Sequence, residues 1–286
     1  RISDTTTLAI ADGSTLALGG YNETVASLTL TSGTLSGAGS LAANTFTVES
    51  GTLAANLTGS GALTKQGAGT VTLTAATTYT GGTTVTAGNF RLEAADVLAD
   101  SGALTVTGGT FDLGGNSERV GAVRLAGNGV IAGTGSATLT GSTYAVESGT
   151  VSARLGGTGG LAKSTDGTVT LSGANTYTGD TTISAGTLRL LGSLGATATT
   201  IGAGGTLAGT GSTAGSVVVA GRLAPGDNGI GTLTTAGQTW ASGGVLSLDL
   251  AALPGAGTSW DRLRLNDRLA VTATAAAPFT LELFSR

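Results

Sequence analysis

The 286 residues contain no cysteine, no histidine and no methionine, and only three prolines. Without cysteine there is no disulfide scaffold and no thiolate to act as nucleophile or metal ligand. Without histidine the commonest general base and metal ligand is gone. With no methionine, Arg1 reads as the start of a processed or excised segment, so a targeting or anchoring segment is expected outside these residues. Aromatic residues make up 4% and charged residues 10%, so any core must be built from small and β-branched side chains. No apolar run approaches the ~18 residues of a membrane span, and no membrane-spanning segment is expected. The net charge of −4 offers no concentrated basic patch, which argues against a nucleic acid partner.

What is abundant is glycine, 51 residues of it, with threonine and alanine beside it. There is no strict G-X-Y period, which sets collagen aside. The chain is 40% hydrophobic with a mean hydropathy of +0.30, so it can bury a core and does not read as disordered. Short alternating runs recur throughout: TVTLT at 70–74, TTVTA at 83–87, ALTVT at 103–107, TVTLS at 168–172 and VLSLDL at 245–250. Side chains alternate across a strand, so each run buries one face and leaves Thr, Ser or Asp on the other. Glycine-containing turns separate the runs. The stretch 92–104 stays open between a turn or two of helix and a polar excursion. The chain is all-β.

Internal repetition points to the architecture. Residues 48–92 align without a gap with 146–190, at an offset of 98 and with 27 identities in 45 positions. LALGGYNETV at 16–25 resembles FDLGGNSERV at 111–120, an offset of 95, and a weaker third round begins near residue 200. A unit of 95–98 residues is too strand-dense for a helical repeat and divides into four or five coils of roughly 20–25 residues. This predicts an elongated β-solenoid over 1–238, with 239–286 as a C-terminal β-strand module continuing it.

The segments 69–92 and 167–190 resemble the autotransporter-associated β-strand repeat, also called the passenger-associated transport repeat. The second copy carries its theme at Gly167, Leu171, Gly173, Asn175, Thr176, Tyr177, Gly179, Thr181, Ile183, Gly186 and Leu188. The first copy keeps Thr78, Tyr79 and Gly81 but departs at Ala75, Thr77, Asn89 and Phe90. RLAPGDNGIGTLT at 222–234 and the strand pairs of 259–284 also resemble the later part of such passengers. The resemblance implies a right-handed parallel β-helix, a location outside or on the outer-membrane surface of a Gram-negative bacterium, and a structural or adhesive role in a stalk or fibre.

Solenoids of this kind also host polysaccharide-processing sites, which need carboxylates converging on one face. Here the charges recur at the repeat offset: Glu49 with Glu147, Lys65 with Lys163, Arg91 with Arg189, Glu23 with Glu118. One active site needs no second copy, so these read as coil-edge features. The GDNG turn at 226–229 lacks the alternating acids of a calcium loop. No catalytic residue, cofactor or metal is expected. Thr78, Tyr79, Gly81, Thr176, Tyr177 and Gly179 are expected to be structural. Phe279, Leu281 and Leu283, on the last predicted strand, are the candidate contacts to another copy or a neighbouring module. Surface glycans and host receptors are the other partner classes, and a polysaccharide-binding or polysaccharide-processing domain is the alternative function.

Overall fold

A computed structural model describes residues 1–251 and 259–285. Among these residues there is no helix, and the strand ladders are parallel. The chain divides into two compact units, Arg1–Ser142 and Thr143–Arg286. Each is a stack of β-coils.

In the first unit every coil contributes strands to parallel lanes. One lane runs through Thr7–Ile10, Ser27–Leu30, Thr45–Val48, Ala62–Lys65, Thr83–Val85, Leu104–Val106 and Ala122–Leu125. A second runs through Ser14–Ala17, Gly33–Ala43, Gly51–Thr58, Thr70–Leu73, Asn89–Leu92, Thr110–Asp112 and Val130–Ala132. A third includes Glu23–Val25 and, further on, Glu118–Arg119 with Thr138–Thr140. Register steps run from Phe46↔Leu63 (17 residues) to Thr83↔Leu104 (21 residues), at or a little below the lower end of the expected coil length. Corners are single glycine turns, which saves the residues a longer loop would use.

Register turns alternation into a core. Leu28, Phe46, Leu63 and Leu104 stack in one inward column, all fully buried. Leu35, Leu53, Leu73 and Leu92 form another. Each such side chain taken from water stabilises the stack by about 1.5–3 kcal/mol. No coil can bury its column alone, so stability accrues between neighbours. The stretch 92–104 is an excursion with no helical turn, and its Val97 and Leu98 fold back into the interior.

The second unit repeats the plan. Its first lane passes through Tyr144, Leu161, Thr181, Thr199, Val217, Gln238 and Leu269. Its second passes through Val169, Leu188, Leu207, Leu223, Leu246 and Leu281. The strands Arg262–Leu265, Leu269–Val271 and Thr280–Ser285 form its last coil.

Candidate functional site

Several of the positions repeated between the two copies make their contacts inside the coils. Tyr79 and Tyr177 are both buried, and each hydroxyl shares a 2.7 Å hydrogen bond with the threonine four residues on, Thr83 and Thr181. Those threonines take inward positions in register with Leu63 and Leu161 of the preceding coil, and the phenol supplies the partner that a buried hydroxyl needs. Each ring leans on an aromatic of the preceding coil: Tyr79 on Phe46 at 5.7 Å, Tyr177 on Tyr144 at 5.8 Å. Burial pushes both phenols up, Tyr177 to about 12. Thr78 and Thr176 are exposed and contribute backbone N–H groups to Leu57 and Leu155 of the previous coil. At Gly81 and Gly179 a Cβ would lie within 2.5 Å of the preceding coil's backbone, so the chains can pass only without one.

The paired lysines lie in the interior. Lys65 and Lys163 are fully buried, on inward positions of Ala62–Lys65 and Leu161–Lys163. The Lys65 ammonium donates to the carbonyls of Gln66 (2.7 Å), Gly67 (2.7 Å) and Ala87 (3.0 Å). That of Lys163 donates to Thr165 and, at 3.1 Å, to Ala185. Desolvation draws both ammonium pKa values down, against Glu49 in one case and Asp166 and Glu147 in the other.

Carboxylates and amides cap backbone in the same fashion. Glu118 accepts from the N–H groups of Val97 (2.9 Å) and Leu98 (3.2 Å), and Glu23 accepts from Ile2 (2.9 Å), each 21 residues back from its glutamate in the Val97 and Ile2 cases. Burial raises Glu118 to about 7, against the pull of those N–H donors. Asn175 accepts from Leu155 and donates to Gly173 and Ser193. Thr77, at the same repeat position, donates both its hydroxyl and its backbone N–H to the Val97 carbonyl. Asp261 bridges the N–H groups of Gly231 and Asp249. Arg91 pairs with Glu93 and Asp112, and Arg189 with Asp227 of the GDNG turn. Among the described residues no three metal-ligating side chains converge.

The C-terminal candidates divide. Phe279 is half-buried and stacks flat on Trp240, with ring centroids 4.3 Å apart. Leu281 and Leu283 continue the inward positions of Leu246 and Leu248, yet they are 57% and 64% exposed. Val271 continues the column of Val219 and Trp240 at 61% exposure. Sequence reasoning did not count Leu269 and Val271, on the neighbouring lane, among the partner contacts. Their membership of the same coil depends on pairing with Gln238–Trp240, about thirty residues away.

The family model described as Passenger-associated-transport-repeat matches residues 63–92 and 161–190. No curated protein matches the chain, and no solved structure does.

Proposed function

We propose that this chain, in which two segments match the passenger-associated transport repeat, is the repeat-bearing part of an autotransporter passenger and serves as a non-enzymatic structural or adhesive module. Such a passenger acts outside the cell or at the surface of a Gram-negative bacterium, as a stalk or fibre element. The observation that carries this reading is where the repeated polar side chains go. Lys65 and Lys163, Tyr79 and Tyr177, and Glu23 and Glu118 are all engaged with neighbouring backbone or with a threonine inside the coils. Groups held this way are unavailable to a substrate.

The partner in this reading is another β-coil, from a neighbouring module or a second copy. Leu281, Leu283 and Val271 present inward-type side chains that such a coil would cover, and Thr280–Ser285, paired among the described residues with Val245–Leu250 on one side, offers backbone groups on the other. The experiment is to incubate the chain with a panel of bacterial and host polysaccharides and measure binding and released reducing ends separately. Binding without release, or neither, agrees with the reading. Reducing-end release that is abolished by changing one carboxylate would overturn it.

A glycan-binding face is a second reading with an observation of its own. Thr29, Thr47, Thr64, Thr84 and Thr105 stand in one outward rank across five successive coils. Glycan binding that is lost in Thr64→Lys with Thr84→Lys, with the fold intact, would favour it.

A further inference from the structure

Lys65 and Lys163 are the only two lysines of the chain, and both stand at the third position of a matched repeat. Each interrupts a column of apolar side chains. Lys65 lies in register between Val48 and Val85, and Lys163 beside Ile183. The butyl stem fills the aliphatic place while the ammonium turns to the coil corner. There its acceptors come from two successive coils: Gln66 and Gly67 from the lysine's own, Ala87 from the next. Thr165 and Ala185 are divided in the same way around Lys163.

The next coil is shaped to admit the ammonium. Gly88 and Gly186 have φ of +64° and +65°. A Cβ on Gly88 would lie 2.3 and 2.4 Å from the Gly69 and Gly67 carbonyls and 2.5 Å from the Lys65 nitrogen. One on Gly186 would lie 2.5 Å from the Gly167 and Thr165 carbonyls and from the Lys163 nitrogen. The missing side chain leaves room for the ammonium together with the carbonyls around it. At the opposite corner the Tyr–Thr pairs, Tyr79 with Thr83 and Tyr177 with Thr181, tie the chain where it re-enters the first lane.

We propose that each passenger-associated transport repeat is a latch that makes two successive coils one cooperative unit, with the buried lysine as its bolt. The physical reason is an asymmetry between making and breaking the contact. With both coils in place, the Lys65 ammonium has an acceptor for each of its three donors. Opening the second coil alone strips the ammonium of its Ala87 acceptor and uncovers the column beside it, so the polar bond and the apolar contact are lost in one step. The two coils therefore open together or stay closed, whereas coil pairs joined by backbone ladders and apolar columns without such a bolt separate independently. This inference does not depend on the stalk or adhesive reading, since it concerns only how the coils are coupled.

The test uses the two lysines as their own reporters in the intact chain. Native-state hydrogen exchange is followed over residues 62–92 and 161–190, alongside labelling of the ε-amines by an amine-reactive ester read by mass spectrometry. The expected result is a single opening event per repeat. Amides of Ala62–Lys65 and of Thr83–Val85 exchange at a common protection, and Lys65 becomes reactive only with that event. In Lys65→Met the column stays filled, but the two coils should part company, their protection factors separating on the order of tenfold or more. Lys163→Met should do the same in the second unit. Independent exchange of the two coils in the unaltered chain, or rapid labelling of either lysine in the native state, overturns the latch. So does a methionine variant whose two coils still open as one.

Discussion

At the scale of single residues, the inward polar groups are the informative ones. Tyr79→Phe removes the hydroxyl that satisfies Thr83, leaving a buried donor and acceptor unpaired, and should cost about 1–3 kcal/mol in chemical denaturation. Tyr79→Ala also removes the ring packed on Phe46 and should cost about 3–5 kcal/mol. Thr78→Ala, on an exposed side chain whose backbone alone is used, should stay within about 0.5 kcal/mol. Glu118 makes a pH prediction. Its folded pKa is raised from 4.5 to about 7. The folded unit thus holds a proton that the unfolded chain releases, and the stabilisation present below 4.5 is lost as pH rises through about 7. Melting temperature should fall between about pH 5 and about pH 7.5, and Glu118→Gln should flatten that slope. A wild-type slope of the opposite sign would mean that the Val97 and Leu98 N–H groups outweigh burial.

At the scale of the element, the strand runs were legible because alternation is local: which face a residue takes follows from the pleat. TVTL at 70–73 and 168–171 are strands with Val and Leu inward, as the pattern says. The corner was not legible. Alternation puts Lys65 on the same face as Leu63, but a lone charge there reads as an edge feature until the carbonyls of Gln66, Gly67 and Ala87 are placed around it. The two lysines' shared repeat position was the one signal in the sequence. Gly88→Ala tests the corner directly. A methyl group there meets the Lys65 nitrogen in a left-handed backbone conformation, so the loss should exceed about 1 kcal/mol by urea titration. For the last coil, Leu281→Lys with Leu283→Lys should change stability little, since both side chains are more than half exposed. The same variant should reduce any self-association seen by light scattering at high protein concentration. Unchanged association would move the partner contact away from this strand.

At the scale of the whole molecule, the described residues contain strands and turns without a helix, and circular dichroism should show a β spectrum with no helical bands. With no cysteine in the chain and no metal-ligating cluster among the described residues, reductant and EDTA should both leave the melting temperature unchanged. A drop in EDTA would point to a cation held by another arrangement of oxygens. Composition and alternation by themselves determined the fold class: small, β-branched, glycine-punctuated runs can bury apolar surface only in thin stacked layers. Repetition at 95–98 residues determined that tyrosine and lysine positions would recur in equivalent settings. Only the tertiary structure decided which residues stack, because parallel partners 17–21 residues apart along the first unit's lane are joined by register and not by any local preference. It alone put the lysines among backbone carbonyls and left Leu281 and Leu283 at the open end of a buried column. Burial belongs to the neighbours a side chain meets, and those neighbours come from other coils.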